Sequence, residues 1–239
     1  MLDSPRFAGK PLRVALLISE IYASIQGESS SAGWPCAFIR LAGCDLRCRW
    51  CDSPFAFKNG QPLALDAILE RVAALGVPLV EVTGGEPLLQ KEVHPLMRAL
   101  CDRGFSVLLE TSGAHDLSSV DARVVRIMDW KCPASGESGR NLESNLALLR
   151  PSDELKFVIA DRADYDWAKE ELARHGLAAR VRNVIFSPAG EMNAVPGEIP
   201  GHPGLAPRLL AEWILADRLP VRFQLQLHKH IWPPHQRGV

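Results

Sequence analysis

The sequence predicts an α/β fold built on a parallel sheet. Three observations carry that expectation. Six short apolar runs are bounded by glycine, proline or polar turns, helix-period stretches lie between several of them, and the 239 residues are 47% apolar and 23% charged, as a globular domain requires. A strand followed by a helix, repeated, brings successive strands side by side in the same direction.

The strand candidates are Cys36 to Leu41, Leu79 to Val82, Phe105 to Leu109, Val124 to Met128, Leu155 to Ile159 and Val181 to Phe186. Leu65 to Leu75 places Ile68, Val72 and Leu75 on one helical face, and Val93 to Leu100 does the same. Asp164 to His175 carries acids early and Arg174 and His175 late, which suits the helix dipole. The Gly/Pro-rich excursion from about 188 to 207 predicts an exposed loop. The last stretch alternates Val221, Phe223, Leu225 and Leu227 with Arg222, Gln224, Gln226 and His228, so a C-terminal strand with one polar face is expected over about 220 to 232. There is no internal repeat, and the chain reads as one domain over residues 1–239. Periodicity alone does not separate a doubly wound sheet from a complete or partial barrel, but in both cases ligands gather at the carboxyl ends of strands.

Charge and composition narrow the partners. A formal net charge of −1 and the lack of a basic tail disfavour nucleic acid. The apolar run Val14 to Ile18 is too short for a signal-peptide core or a membrane span, so a cytoplasmic protein without membrane contact is expected. In that compartment clustered cysteines more often hold metal than form disulfides. Cys36, Cys101 and Cys132 stand alone and read as small buried apolar groups.

The unusual motifs fall where strands end. "GCDLRCRWC" sets Cys44, Cys48 and Cys51 in C-x3-C-x2-C spacing. Three thiolates in one loop can hold three corners of a cubane iron–sulfur cluster and leave one iron open. Zinc is the competing reading, needing a fourth ligand from Cys36, Cys101, Cys132 or a histidine; a merely structural cysteine group is the third. "TGGEP" at Thr83 to Pro87 follows a strand, and its glycines let backbone approach a ligand, although such a turn is commonly only a turn. "ETSG" at Glu110 to Gly113, "DWK" at Asp129 to Lys131 and "SPAG" at Ser187 to Gly190 occupy equivalent ends.

Taken in this order, the cysteine loop, the GGEP turn and the ETSG strand end resemble the radical S-adenosylmethionine superfamily. "SIQGES" at Ser24 to Ser29, "FIRLAGCDLRCRWCDS" at Phe38 to Ser53 and "LQLHKHIW" at Leu225 to Trp232 together are similar to the 7-carboxy-7-deazaguanine synthase family within it. The resemblance implies a partial (β/α) barrel of about six parallel core strands with terminal strand extensions. It implies a lyase that contracts 6-carboxy-5,6,7,8-tetrahydropterin to 7-carboxy-7-deazaguanine with release of ammonia, in queuosine or 7-deazapurine biosynthesis. The implied cofactors are a 4Fe-4S cluster, S-adenosylmethionine bound to its open iron, and Mg2+.

Residue by residue, the resemblance implies Cys44, Cys48 and Cys51 as cluster ligands and Ser53 as the magnesium ligand. Trp50, Asp52, Gly84, Gly85, Glu86, Ser112, Asp129, Trp130, Lys131, Ser187, Pro188, Ala189 and Gly190 match the cofactor-binding positions. Ile25, Gln26, Gly27, Glu28, Arg40, Thr83 and His228 match the substrate-binding ones, with Arg40 toward the carboxylate and Glu28 toward the ring N–H groups. Bland readings exist for each: core packing for Trp50, a surface pair for Asp129 and Lys131, a solvated turn for Glu28, a strand-end ion pair for Arg40, and a turn serine for Ser53. A flavodoxin or ferredoxin as electron donor and a homodimer are also implied. The tail "PPHQRGV" extends past the last motif, which predicts that Arg237 lies outside the pocket. Two other classes stay open: a glycyl-radical-enzyme activase of the same superfamily, and a zinc-stabilised binding module.

Overall fold

The computed structural model describes residues 15–233 and 236–239. The N-terminal stretch up to Val14, with its basic residues, lies outside the described residues. One nine-stranded sheet runs in the order β3-β1-β2-β4-β5-β6-β7-β8-β9. Strands β2 (Pro35–Leu41), β4 (Leu79–Gly84), β5 (Ser106–Thr111), β6 (Val125–Asp129), β7 (Glu154–Ile159) and β8 (Asn183–Pro188) correspond to the six expected runs, and each pairs in parallel with the next. At one end of the sheet β1 (Ala15–Ile25) pairs antiparallel with β2, and the edge strand β3 (Gln61–Ala64) pairs antiparallel with β1. The sheet stays open at both ends, the partial-barrel arrangement.

Side-chain alternation divides the sheet into two functional faces. Ala37, Ile39 and Leu41, Val80 and Val82, Val107 and Leu109, then Leu155, Phe157 and Ile159 belong to the main apolar core. Helices α1 (Leu65–Ala74), α2 (Val93–Asp102) and α4 (Arg162–His175) cover that face with Ile68 and Val72, Leu96 and Leu100, and Tyr165 and Leu172. Asp161 caps α4 by accepting from the Asp164 amide at 2.8 Å, and Gly176 ends it in the left-handed conformation at φ 60°. Two further helices, α3 (Ser144–Leu148) and α5 (Pro207–Asp217), complete the same layer with Leu146, Leu210 and Ile214. No helix among the described residues is long and apolar enough to cross a membrane.

The opposite, concave face is polar. Arg40 pairs in register with Thr83, and Asp129 with Lys156. Since residues two apart share a face, Glu81 joins Thr83, and Val158 joins Lys156.

Two expectations are corrected at the C-terminal side. The C-terminal strand shrinks to β9 (Arg222–Phe223), and His228 opens a short helix α6 (His228–Ile231). The alternating pattern suited a strand, but Gln224 and Gln226 turn inward, donating to the Ser29 carbonyl and to Glu28 at 2.7 Å each. The Leu227 amide meanwhile donates to the Gly27 carbonyl at 3.0 Å. The Gly/Pro excursion is not simply an exposed loop either. Isolated antiparallel bridges join Met192 to His202 and Val195 to Ile199, Ile199 is buried, and Glu198 pairs with Lys58 at 2.7 Å and Arg47 at 3.4 Å. The excursion therefore folds back onto the cysteine loop. Of the lone cysteines, Cys36 and Cys132 are buried as expected, whereas Cys101 is partly exposed.

Candidate active site

At the carboxyl ends of the parallel strands lies a cavity of about 1060 Å³. Cys44, Cys48 and Cys51 all line it, on the loop that leaves β2. Two backbone contacts hold this loop against the turn after β4: Gly85 N donates to Leu41 O at 3.1 Å and Glu86 N to Gly43 O at 2.8 Å. A side chain at Gly85 would sit 2.2 Å from Gly43 O, so glycine is needed for the two backbones to meet. The apposition explains the GGEP turn locally, independent of any ligand.

Burial pushes the Cys44 thiol up to about 11 and the Cys51 thiol up to about 12, and raises Cys48 as well. Binding iron as thiolates would therefore release protons. Among the described residues, no three His, Cys, Asp or Glu side chains converge as the ligands of one ion would.

Beside the cysteines, Trp50 packs with Val158, Ala160 and Ala189 and meets His202 edge-on at 5.4 Å, so it both fills a small apolar cluster and lines the cavity. Asp52 accepts from Ser53 Oγ at 3.0 Å and faces Lys229 at 3.2 Å. Ser53 Oγ also lies 3.4 Å from Arg40 Nη1. The Ser53 hydroxyl and the Asp52 carboxylate make an oxygen corner of the kind Mg2+ accepts together with water.

Arg40 forms a pair with Glu20 at 2.9 Å and donates to Tyr22 Oη at 3.1 Å. It thus makes the strand-end ion pair and still faces the cavity. Arg237, expected outside, stacks over Phe55 at 4.3 Å, reaches Glu20 at 3.5 Å, and lines the cavity. Stacking on an aromatic face is what brings the tail back.

The Gln26 to Glu28 segment crosses the concave face. Gln26 donates to Glu81 at 2.6 Å, and Glu28 accepts from Lys156 at 2.8 Å. His228 packs on Gly27, where an added Cβ would fall 2.4 Å from His228 Nδ1. Ile25, Gln26, Gly27, Glu28, Arg40, Thr83 and His228 are all brought to the cavity wall, as are Asp52, Gly84, Gly85, Ser112, Asp129, Lys131, Pro188, Ala189 and Gly190. Asp129 and Lys131 form a largely buried pair at 2.8 Å, so the surface-pair reading fails.

Three expected residues do not line the cavity. Glu86 is fully buried, and its carboxylate accepts from Thr111 Oγ1, Ser112 N, Ser112 Oγ and Leu88 N. Its side chain is spent on shaping the turn. Trp130 points into the core and donates to Glu171 at 3.0 Å, and Ser187 is buried in β8.

The sequence reading missed Glu81 and Lys156, and it noted Glu110 in the "ETSG" motif without giving it a role. Lys156 donates to Glu110 at 2.6 Å, and Thr83 Oγ1 donates to Glu110 at 3.1 Å. Burial works against the Glu110 carboxylate, but the Lys156 ammonium brings it down to about 2. Burial and the nearby Glu110 push Glu81 up to about 8. The available signal was a charge inside an otherwise apolar strand: "LVEV", "LLE" and "ELKFVI".

An open parallel sheet with a three-thiol loop at its carboxyl edge defines a radical S-adenosylmethionine enzyme, and the Radical SAM superfamily model matches residues 38–128. The chain is 51% identical over 224 residues to 7-carboxy-7-deazaguanine synthase of Koribacter versatilis, covering 93% of this chain and 99% of that protein. It is 53% identical over 227 residues to the enzyme of that name from Chlorobaculum tepidum, covering 94% and 97%. The chain belongs to the 7-carboxy-7-deazaguanine synthase family. The fold is shared with the crystal structure of QueE from Escherichia coli, at a TM-score of 0.67 and 22% identity over 92% of this chain and 99% of that one. Superfamily membership implies a 4Fe-4S cluster and S-adenosylmethionine.

Proposed function

We propose that this chain contracts 6-carboxy-5,6,7,8-tetrahydropterin to 7-carboxy-7-deazaguanine with loss of ammonia, in the cytoplasm, with Cys44, Cys48 and Cys51 holding the cluster. The observation that carries the reading is one cavity lined by the three thiols, by Arg40 with Ser53, and by Gln26, Glu28 and His228. When bound, the cluster and S-adenosylmethionine supply hydrogen-abstraction chemistry. The protein's own residues do the rest by orientation and charge.

Arg40 offers a guanidinium to the substrate carboxylate, and its ties to Glu20 and Tyr22 hold the fork in place. Ser53 and Asp52 would hold Mg2+ beside the same carboxylate, where it balances charge and polarises the ring. Glu28 accepts from the ring's amino and N–H groups, which sets the face presented for hydrogen abstraction. Gly84, Gly85 and Ser112 would receive the methionine and ribose, with Asp129 and Lys131 on the nucleoside side. A flavodoxin or ferredoxin as electron donor and a homodimeric assembly belong to the same reading.

The test is anaerobic reconstitution with iron and sulfide, followed by incubation with reductant, S-adenosylmethionine, Mg2+ and the carboxytetrahydropterin. The expected result is 7-carboxy-7-deazaguanine and ammonia in equal amounts. A cluster-loaded protein that makes neither overturns the substrate assignment.

A further inference from the structure

Lys156 is an ammonium buried at the centre of the concave face, and no role proposed above uses it. Its side chain is 4% exposed. The Nζ donates to Glu28 Oε2 at 2.8 Å and to Glu110 Oε1 at 2.6 Å, and lies 3.8 Å from Asp129. Asp129 already has its own partner in Lys131 at 2.8 Å, so the short contacts of Lys156 go to the two glutamates. Glu110 is in turn fixed on β5 by Thr83 Oγ1. Lys156 thereby ties the loop that carries Glu28 to two strands of the sheet.

The other oxygen of Glu28 is taken by Gln226 Nε2 at 2.7 Å. The loop around it is fixed too, since Ser30 N donates to both Glu154 oxygens at 3.1 and 3.0 Å. A carboxylate has about four lone-pair positions. With one on each oxygen occupied by the protein, each oxygen keeps one free position for a ligand. Two parallel acceptors suit an amino group next to a ring N–H, the donor pair on the pyrimidine edge of a pterin. A ring bearing a carbonyl in place of the amino group would set oxygen against oxygen.

We propose that Lys156 is a specificity-determining positioning residue: by donating to one oxygen of Glu28 while Gln226 donates to the other, it holds the carboxylate so that it presents two acceptors to an amino and N–H donor pair. The inference rests on the reading that Glu28 faces the pterin.

The test is anaerobic equilibrium binding of the carboxytetrahydropterin to the cluster-loaded protein without reductant, with S-adenosylmethionine binding and iron content measured on the same samples. Lys156→Met is expected to weaken pterin binding about ten- to a hundred-fold, the span of a hydrogen bond to a charged group. S-adenosylmethionine affinity and iron content are expected to stay at the wild-type level. In a Glu28→Gln background the same change is expected to add little, because its effect passes through Glu28. Unchanged pterin affinity in Lys156→Met, full additivity with Glu28→Gln, or an equal loss of S-adenosylmethionine binding each overturns the proposal. If Lys156→Met does not accumulate, the charge-balanced pair Lys156→Met/Glu110→Gln is compared with Glu110→Gln alone; equal pterin affinity in those two overturns it. A wild-type protein that does not bind the pterin refutes the substrate reading instead, which separates the two failures.

Discussion

Replacing Gly85 by alanine tests whether the cysteine loop is held by backbone apposition. The new Cβ would lie 2.2 Å from Gly43 O, 2.7 Å from Gly43 C and 2.8 Å from Cys44 Cβ. Ordinary carbon contacts begin near about 3.5 Å, so the loop must retreat by about 1 Å. Overpacking of this kind costs about 1–3 kcal/mol. Loss of the Glu86 N to Gly43 O and Gly85 N to Leu41 O bonds adds about 1 kcal/mol each. The sum is within the stability of an ordinary domain, so the protein is expected to fold with a lowered Tm. The larger consequence is local. Metal–ligand distances tolerate only about 0.2 Å, so if Cys44 holds the cluster as proposed, a shift of about 1 Å there would remove one thiolate from it. The assay is iron and sulfide content after anaerobic reconstitution, with thermal unfolding alongside. Gly139→Ala is the control, because a Cβ there meets nothing within 4 Å. If Gly85→Ala loads iron fully and melts with the control, the reasoning is wrong.

Two further outcomes follow from the same geometry. Ser53→Ala is expected to keep the cluster but to raise the magnesium concentration needed for turnover by at least about tenfold, since the oxygen corner with Asp52 loses its hydroxyl; identical magnesium titrations for the two proteins would remove the metal role. The Glu81 carboxyl, raised from 4.5 to about 8, binds a proton in the folded protein that the unfolded chain releases over that interval. Stability therefore falls as pH rises between those values, by at most about 1.4 kcal/mol per pH unit for one group. Glu81→Gln keeps the bond to Gln26 and is expected to flatten that slope in denaturant unfolding of the cluster-free protein. Parallel slopes would mean that Glu81 stays ionised.

How far the sequence could be read depended on whether a residue's neighbours in the chain were also its neighbours in space. The six parallel strands were legible because a strand buried on its helix side is a local apolar run, and Cys44, Cys48 and Cys51 were legible because one loop brings them together. β1 is the N-terminal extension that the resemblance implied, but its bounds were not legible because Glu20 interrupts its apolar run, and that same glutamate is what holds Arg40 and meets Arg237. The C-terminal strand was overread for a related reason. Alternation at Gln224 and Gln226 marks two side chains pointing the same way, which holds equally for a strand and for an extended segment that clamps a loop, here through Ser29 and Glu28. Lys156 and Glu28 are 128 positions apart, and no local pattern announces their contact at 2.8 Å. What sequence does offer is the cost of the alternative. A lysine inside "ELKFVI" would be buried without a counter-charge unless the sheet supplied one, so a charge in a core strand predicts a partner before the fold says which. Applied to "LVEV" and "LLE" as well, that rule picks out Glu81 and Glu110 beside Lys156, and these are groups that couple the strands to the loop carrying Gln26 and Glu28.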